Sequence, residues 1–412
     1  MESEGMLRHL AFFEELGKMD ENDARWRFVS AGLVVLRLVD NWIADGAAKS
    51  RVDAWGVSAV REAIARVPET EPTRRVLSAI VDLVVSSMSI DMHTLSPRLM
   101  AYAQALEYEA KWPLAADVYQ TIVAHAHPVD DADLVVSAFI QLAFTLRTMG
   151  DFDAAAAAYA QASRVALAAG DVIGVLRGRL GDAKIAMARG NIPQAESILD
   201  ETIQRAQASG LDDVRSRALN DRAYIAGTTK QYDRAIRYSY DALELTKNGR
   251  DRDRILNNIA TGFRYLGLLD VARDAYLILA TTGQEQYLRW LSEINLMELA
   301  AHQQIELQFD KYRRELESAD FTPLLRVTYL LHVGRGYHAL GNSEASIPYL
   351  ERAMSLAETH KLNQLIFEVE DALGEARRRD VKNRQPSQPP EIDSSVQSVA
   401  KAIQELRELA GV

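Results

Sequence analysis

Eight histidines, acids scattered along the whole chain and no cysteine bound the chemistry that these 412 residues could carry. Without a thiol there is no cysteine nucleophile, no Cys-ligated zinc or iron–sulfur site and no disulfide framework. His125 and His127 stand two apart, so a helix points them in different directions. His332 and His338 are six apart, with no carboxylate motif nearby. Neither an HExxH nor a Walker A sequence occurs. The run from Gly334 through Gly336 to Ala339 loosely imitates a dinucleotide fingerprint, but it follows no strand pattern, which such a site requires. No catalytic residue, metal or cofactor is expected. The polar residues that do recur are of another kind. Arg177, Arg217 and Arg254 follow one another at intervals of 40 and 37, and Asn220 and Asn257 are again 37 apart. An asparagine side chain can pair with both groups of a peptide backbone. An arginine can grip a carboxylate with two parallel hydrogen bonds.

The same intervals govern the elements that would position these residues. Proline is scarce, at 11 residues, and no long stretch alternates with the period of a strand, so the chain reads as all-α. The segment FIQLAFTLRTMGDFDAAAAAYAQA consists of two short helical patterns around a Gly-Asp turn, and its frame repeats. Taking the residue at each turn as an anchor gives Ala110, Gly150, Gly190, Lys230, Gly267, Leu307 and Gly341, spaced 40, 40, 40, 37, 40 and 34 apart. Seven residues before the anchors stand Ala103, Ala143, Ala183, Ala223, Ala260, Ala300 and Gly334. Five after them stand Ala115, Ala155, Ala195, Ala235 and Ala272, then Tyr312 and Ser346. Small residues at those two places let helix backbones cross closely, and larger ones such as Trp112, Phe152, Tyr119 and Tyr159 fill the wedges between pairs.

This pattern resembles the tetratricopeptide repeat, in a variant of about 40 residues, over roughly residues 96–362. The match is strongest in the second to fifth repeats and degenerate around Leu307. The resemblance implies an all-α fold: a right-handed superhelical solenoid of about seven repeats whose first helices line a concave surface. In that frame Arg177, Arg217 and Arg254 are equivalent, as are Asn220 and Asn257, with Asn258 adjacent. Lys184, Tyr224 and Arg335 share a place one turn on, and Arg147 and Arg264 share a further one. These eleven residues outline a locally basic, peptide-binding groove. The plainer reading is that they solvate an open face or pair with acids such as Asp182 and Asp221. The resemblance implies a non-enzymatic protein- or peptide-binding module, holding an extended or acidic segment. Two alternatives stay open. One is a bacterial peptide-responsive regulator, whose superhelix repositions an N-terminal bundle. The other is a structural assembly subunit with a permanently filled groove. Residues 1–95 contain no glutamine, which counts against the phosphatase branch of such regulators.

The ends of the chain fall outside the repeat frame. Residues 1–95 read as an N-terminal helical bundle or cap, with one apolar face from Trp26, Val29, Leu33, Leu36 and Ile43 and another from Trp55, Val60, Ile64 and Val67. A third helix is expected from Pro72 to Met88. Residues 96–380 form the repeat region, closed by a helix over Leu362–Arg379. A Pro-rich linker occupies 381–393. An amphipathic tail helix, 394–412, carries Val396, Val399, Ile403, Leu406 and Ala410 on one face, capped by Ser394 or Ser395 and ended by Gly411. It could dock on its own solenoid, on a second copy as a homodimer, or in the groove. The formal charge of −11, from 47 basic and 58 acidic residues, argues against nucleic acid as the partner. The apolar windows Ala31–Ala44 and Val76–Met88 are too short and too often interrupted by charge to span a bilayer. The N-terminus carries acids where a secretory signal would carry bases, so a cytoplasmic protein is expected.

Overall fold

A computed structural model describes residues 8–20, 22–44, 54–86, 91–109, 111–360, 362–378 and 392–412. It is all-α, with twenty helices and no strand among the described residues. The chain divides into two compact units, Met1–Ala206 and Gln207–Val412. The division falls inside the repeat region, within a helix.

The first unit starts with α1 (Leu10–Leu16), α2 (Ala24–Ala44), α3 (Ala54–Ala65) and α4 (Pro72–Ser86). Helix pairs follow: α5 (Met92–Tyr108) with α6 (Trp112–His125), α7 (Ala132–Thr148) with α8 (Phe152–Ala168), and α9 (Val172–Ala188) with α10 (Ile192–Ala208). Helices α1 and α2 pack on α6, and α4 packs on α5, so residues outside the repeat frame share one core with the first repeats. Val29, Leu33, Leu36, Val60, Ile64 and Val67 are buried there, while Trp26 and Ile43 are half-buried. The side chain of Trp55, the end of the expected third helix at Met88 and the anchor Ala110 lie outside the described residues. The Tyr102 side chain of α5 reaches α2 so closely that a Cβ on Gly32 would lie 2.1 Å from its hydroxyl oxygen.

The second unit contains α11 (Asp212–Thr228) with α12 (Tyr232–Leu245), α13 (Gly249–Tyr265) with α14 (Leu269–Thr282), α15 (Gln286–His302) with α16 (Glu306–Glu317), and α17 (Pro323–Ala339) with α18 (Ser343–Thr359). Helix α19 (Asn363–Arg378) closes the series on α17 and α18, and α20 (Ser394–Ala410) is the tail. Residues 381–391 of the expected linker lie outside the described residues.

One turn joins the helices of every pair from α7–α8 to α17–α18. Asp151 N–H donates to Leu146 O at 3.0 Å and Gly150 N–H to Arg147 O at 3.0 Å, with Gly150 at φ 86°. This is the Schellman closure, whose left-handed residue glycine adopts without steric cost. It recurs at Gly190, Gly267 and Gly341, and with non-glycine residues at Lys230 and Gln304. The last position corrects the register read from sequence. The sixth turn centres on Gln304, not Leu307, because Ile305 N–H donates to Ala300 O at 2.8 Å and α16 has begun by Glu306. Counted from Gln304, the crossing residues are Met297 and Phe309, both large and fully buried. Elsewhere the expected small residues meet: Ala103, Ala115, Ala143, Ala155, Ala183, Ala195, Ala260 and Ala272 are fully buried. At the α17–α18 crossing Ser346 Oγ donates to Gly334 O at 2.7 Å. The Gly334–Gly336 run is therefore helix interior, with Gly334 against Leu350 and Gly336 against Phe309.

Candidate partner-binding surface

Successive first helices touch directly: α5 with α7 and α7 with α9 in the first unit, and α11, α13, α15, α17 and α19 in series in the second. The recurrent polar residues sit on these helices, because intervals near 40 return a side chain to the same place on the next pair.

In the first unit Arg147, Arg177 and Lys184 are half-buried. The Arg147 guanidinium lies 5.4 Å from the centroid of Phe144. Asp182 pairs at 3.4 Å with Arg179, which is not one of the candidate residues. At the end of α5, Glu107 accepts a 2.6 Å bond from Thr145 Oγ1 of α7. Burial raises the Glu107 carboxyl above its ordinary value, against the opposing hydrogen bonds from Thr145 and Tyr119.

In the second unit Arg217, Arg254, Arg264 and Arg335 each meet an acid on the following first helix or at its start. Arg217 reaches Asp251 at 3.1 Å, Arg254 reaches Glu285 at 3.3 Å, and Arg335 lies 3.8 Å from Glu368. Arg264 bonds Glu298, which also receives His332 at 3.1 Å and His302 at 3.7 Å. Burial alone would raise the Glu298 carboxyl. The charge of His332, the close approach of His302 and His332, and the Arg264 charge outweigh it and hold Glu298 well below the usual carboxylate range. The sequence reading missed these four acids. The signal was there: Arg217, Arg254 and Arg264 are separated from their acids by 34, 31 and 34 residues, close to one repeat.

Asn258 Nδ2 donates to Asn220 Oδ1 at 2.8 Å, bridging α13 to α11. The equivalence of Asn220 with Asn257 therefore does not become a contact. Asn257 Oδ1 is buried and finds no hydrogen-bond partner among the described residues. Beside these groups stand two aromatic rings. Tyr224 on α11 is 58% exposed, and Tyr265 at the end of α13 is 56% exposed. The Tyr265 ring stacks on Tyr232 at 5.0 Å and lies 5.0 Å from the Arg264 guanidinium. Tyr265 was absent from the sequence-based set.

The tail helix lies elsewhere. Helix α20 packs on α12 and α14, the second helices of two successive pairs. Its N-cap is Asp393, which accepts from Ser395 N–H at 3.2 Å, and not Ser394 or Ser395 as expected. Gly411, at φ 70°, ends it. Val396, Val399 and Ile403 are buried, and Leu406 and Ala410 half-buried.

Among the described residues no group of three or more His, Asp or Glu could hold a metal ion. No described helix is long and apolar enough to cross a membrane. Residues 136–167 and 327–360 match the family model of the tetratricopeptide repeat; these are the α7–α8 and α17–α18 pairs. Similar solved structures include the crystal structure of BtubC (BKLC) from P. vanneervenii. It is 17% identical, with 52% of this chain and 82% of that one covered and a TM-score of 0.35. Another is a circular tandem repeat protein with novel repeat topology and enhanced subunit contact surfaces. It is 14% identical, with 94% and 100% covered and a TM-score of 0.17. No curated protein matches the sequence.

Proposed function

We propose that this chain, two stretches of which match the tetratricopeptide repeat, is a non-enzymatic protein-binding module whose first helices hold an extended or acidic segment of a partner. The observation that carries the reading is the pair of exposed tyrosines, Tyr224 and Tyr265, on adjacent first helices of the second unit. Large rings left in water beside asparagine and arginine are the residue types on which interfaces concentrate their binding energy. The arginine–acid pairs do not oppose this. Arg217 and Arg254 are exposed, and exposed pairs are worth about 0–1 kcal/mol, so a partner carboxylate can take the place of Asp251 or Glu285 at little cost.

Co-purification with mass spectrometry, repeated with Tyr224→Ala/Tyr265→Ala and with Asn220→Ala/Asn257→Ala, tests the reading. The wild type should retain a defined protein partner, and both variants should lose it while keeping their thermal transition. An unchanged partner set in both variants would remove the first helices from the proposal.

A further inference from the structure

We propose that the face formed by α12 and α14 is a second docking surface, built for an amphipathic helix with an acidic N-cap, aliphatic residues at i, i+3 and i+7 and a base in its last turn, and that α20 occupies it reversibly in place of a partner helix of that chemistry. The surface reads both ends of its occupant. At the start of α20, Arg237 of α12 donates to Asp393 at 2.8 Å and to Ser395 Oγ at 3.3 Å. At the other end, Arg407 donates to Asp274 of α14 at 2.8 Å. Between them Val396, Val399 and Ile403 go down onto the two helices.

The two ion pairs fix direction. A reversed helix would set Asp393 against Asp274 and Arg407 against Arg237, and like charges at such distances repel. The arrangement also follows the helix dipole, with the acid at the N-terminus and the base in the last turn. Asp274 is the more telling partner. Its side chain is only 7% exposed, and apart from Arg407 its nearest cation is Arg273 at 3.9 Å. A carboxylate kept out of water to face one arginine is a selective group, unlike an open charged rim.

Reversibility follows from the occupant. Most helical stability in proteins comes from packing of an amphipathic face, so α20, with Val396, Val399 and Ile403 buried on the surface, depends on that surface for its form. The sequence joining it to α19 contains Pro386, Pro389 and Pro390, which hinder continuation of either helix. Because α20 belongs to the same chain, a partner helix must compete with an intramolecular segment. This inference does not rest on the first helices, and its failure is separable from theirs.

The test uses the full chain and a fluorescent peptide of residues 392–412. Val399→Asp with Ile403→Asp weakens the resident tail without altering the surface. The opened variant should bind the wild-type peptide at least tenfold more tightly than the wild-type chain does. A peptide carrying Arg407→Glu should bind it at least tenfold more weakly. Tyr224→Ala/Tyr265→Ala should change neither result. In the wild-type chain, α20 amides should exchange hydrogen faster than those of α12 and α14. The proposal is overturned if the opened variant binds neither peptide or both equally. It is also overturned if that variant loses the cooperative melt of the chain, or if α20 exchanges as slowly as α14, since the tail is then integral to the fold. A wild-type dimer that becomes monomeric on opening would give the surface to a second copy's tail, and would overturn the partner reading.

Discussion

Lys230 and Gln304 hold the left-handed turn position that glycine takes at Gly150, Gly190, Gly267 and Gly341. Their Cβ atoms crowd the following carbonyl, at a cost of roughly 1–2 kcal/mol per residue. Lys230→Gly is therefore expected to stabilise the chain by about 0.5–1 kcal/mol after glycine's extra unfolded-state entropy is counted, read as a higher urea midpoint at constant slope. Gly334 presents the opposite case. A Cβ there would lie 2.5 Å from the Leu350 side chain, itself fully buried. Gly334→Val should destabilise by about 1–3 kcal/mol through overpacking, measured by chemical denaturation. Both positions were visible in the sequence as members of a register. The strain at one and the closeness at the other were not, because they depend on a backbone angle and on a neighbour sixteen residues away.

At the scale of the helix pair, the α15–α16 unit departs most from the pattern. Its crossing residues are Met297 and Phe309, and α16 has 12 residues where α8 and α18 have 17. The Phe309 ring packs edge-on against Tyr337 at 5.1 Å and beneath Gly336. Removing it with Phe309→Ala should cost about 3–5 kcal/mol, and the loss should appear in the thermal transition of the second unit. Helix α13 starts from a stronger local signal. Asn248 accepts from both Arg250 N–H and Asp251 N–H, at 2.9 and 3.2 Å. Asn248→Ala should cost about 1 kcal/mol, checked in the same denaturation series. The sequence supported such caps and turns at most pairs. It misplaced the sixth anchor by three residues because large residues had replaced the small ones that mark the frame.

In each unit one carboxylate, half-buried Asp40 in the first and buried Glu298 in the second, ties distant segments together. In the first unit Asp40 receives His125 at 2.6 Å and His9 at 2.9 Å. Burial would raise its pKa, but the hydrogen bonds from both histidines and their charges bring it far below the ordinary carboxylate value. Glu298 does the same in the second unit. A carboxyl lowered in the folded state adds stability that is present above its unfolded pKa and is lost as pH falls through the folded value. Stability, followed by thermal melts across a pH series, should thus drop as pH falls below about 4. Glu298→Gln should flatten that acid limb. It should also cost about 3–5 kcal/mol at neutral pH, because Arg264 is left buried without its counter-charge.

The helical repeats, their turn and most of their crossing residues follow from the sequence alone, since each depends on residue types at fixed local spacing. The candidate surface was legible only by half. A repeat frame could say that Arg217, Arg254, Arg264 and Arg335 share one side of the array. It could not say that Asp251, Glu285, Glu298 and Glu368 stand opposite them. Those pairings depend on side-chain reach between successive helices, which residue spacing constrains but does not set. The position of α20 was likewise left to the tertiary structure. An amphipathic pattern fixes which face of a helix must be covered, but the covering surface is chosen by complementary charge and shape far along the chain, here at Arg237 and Asp274.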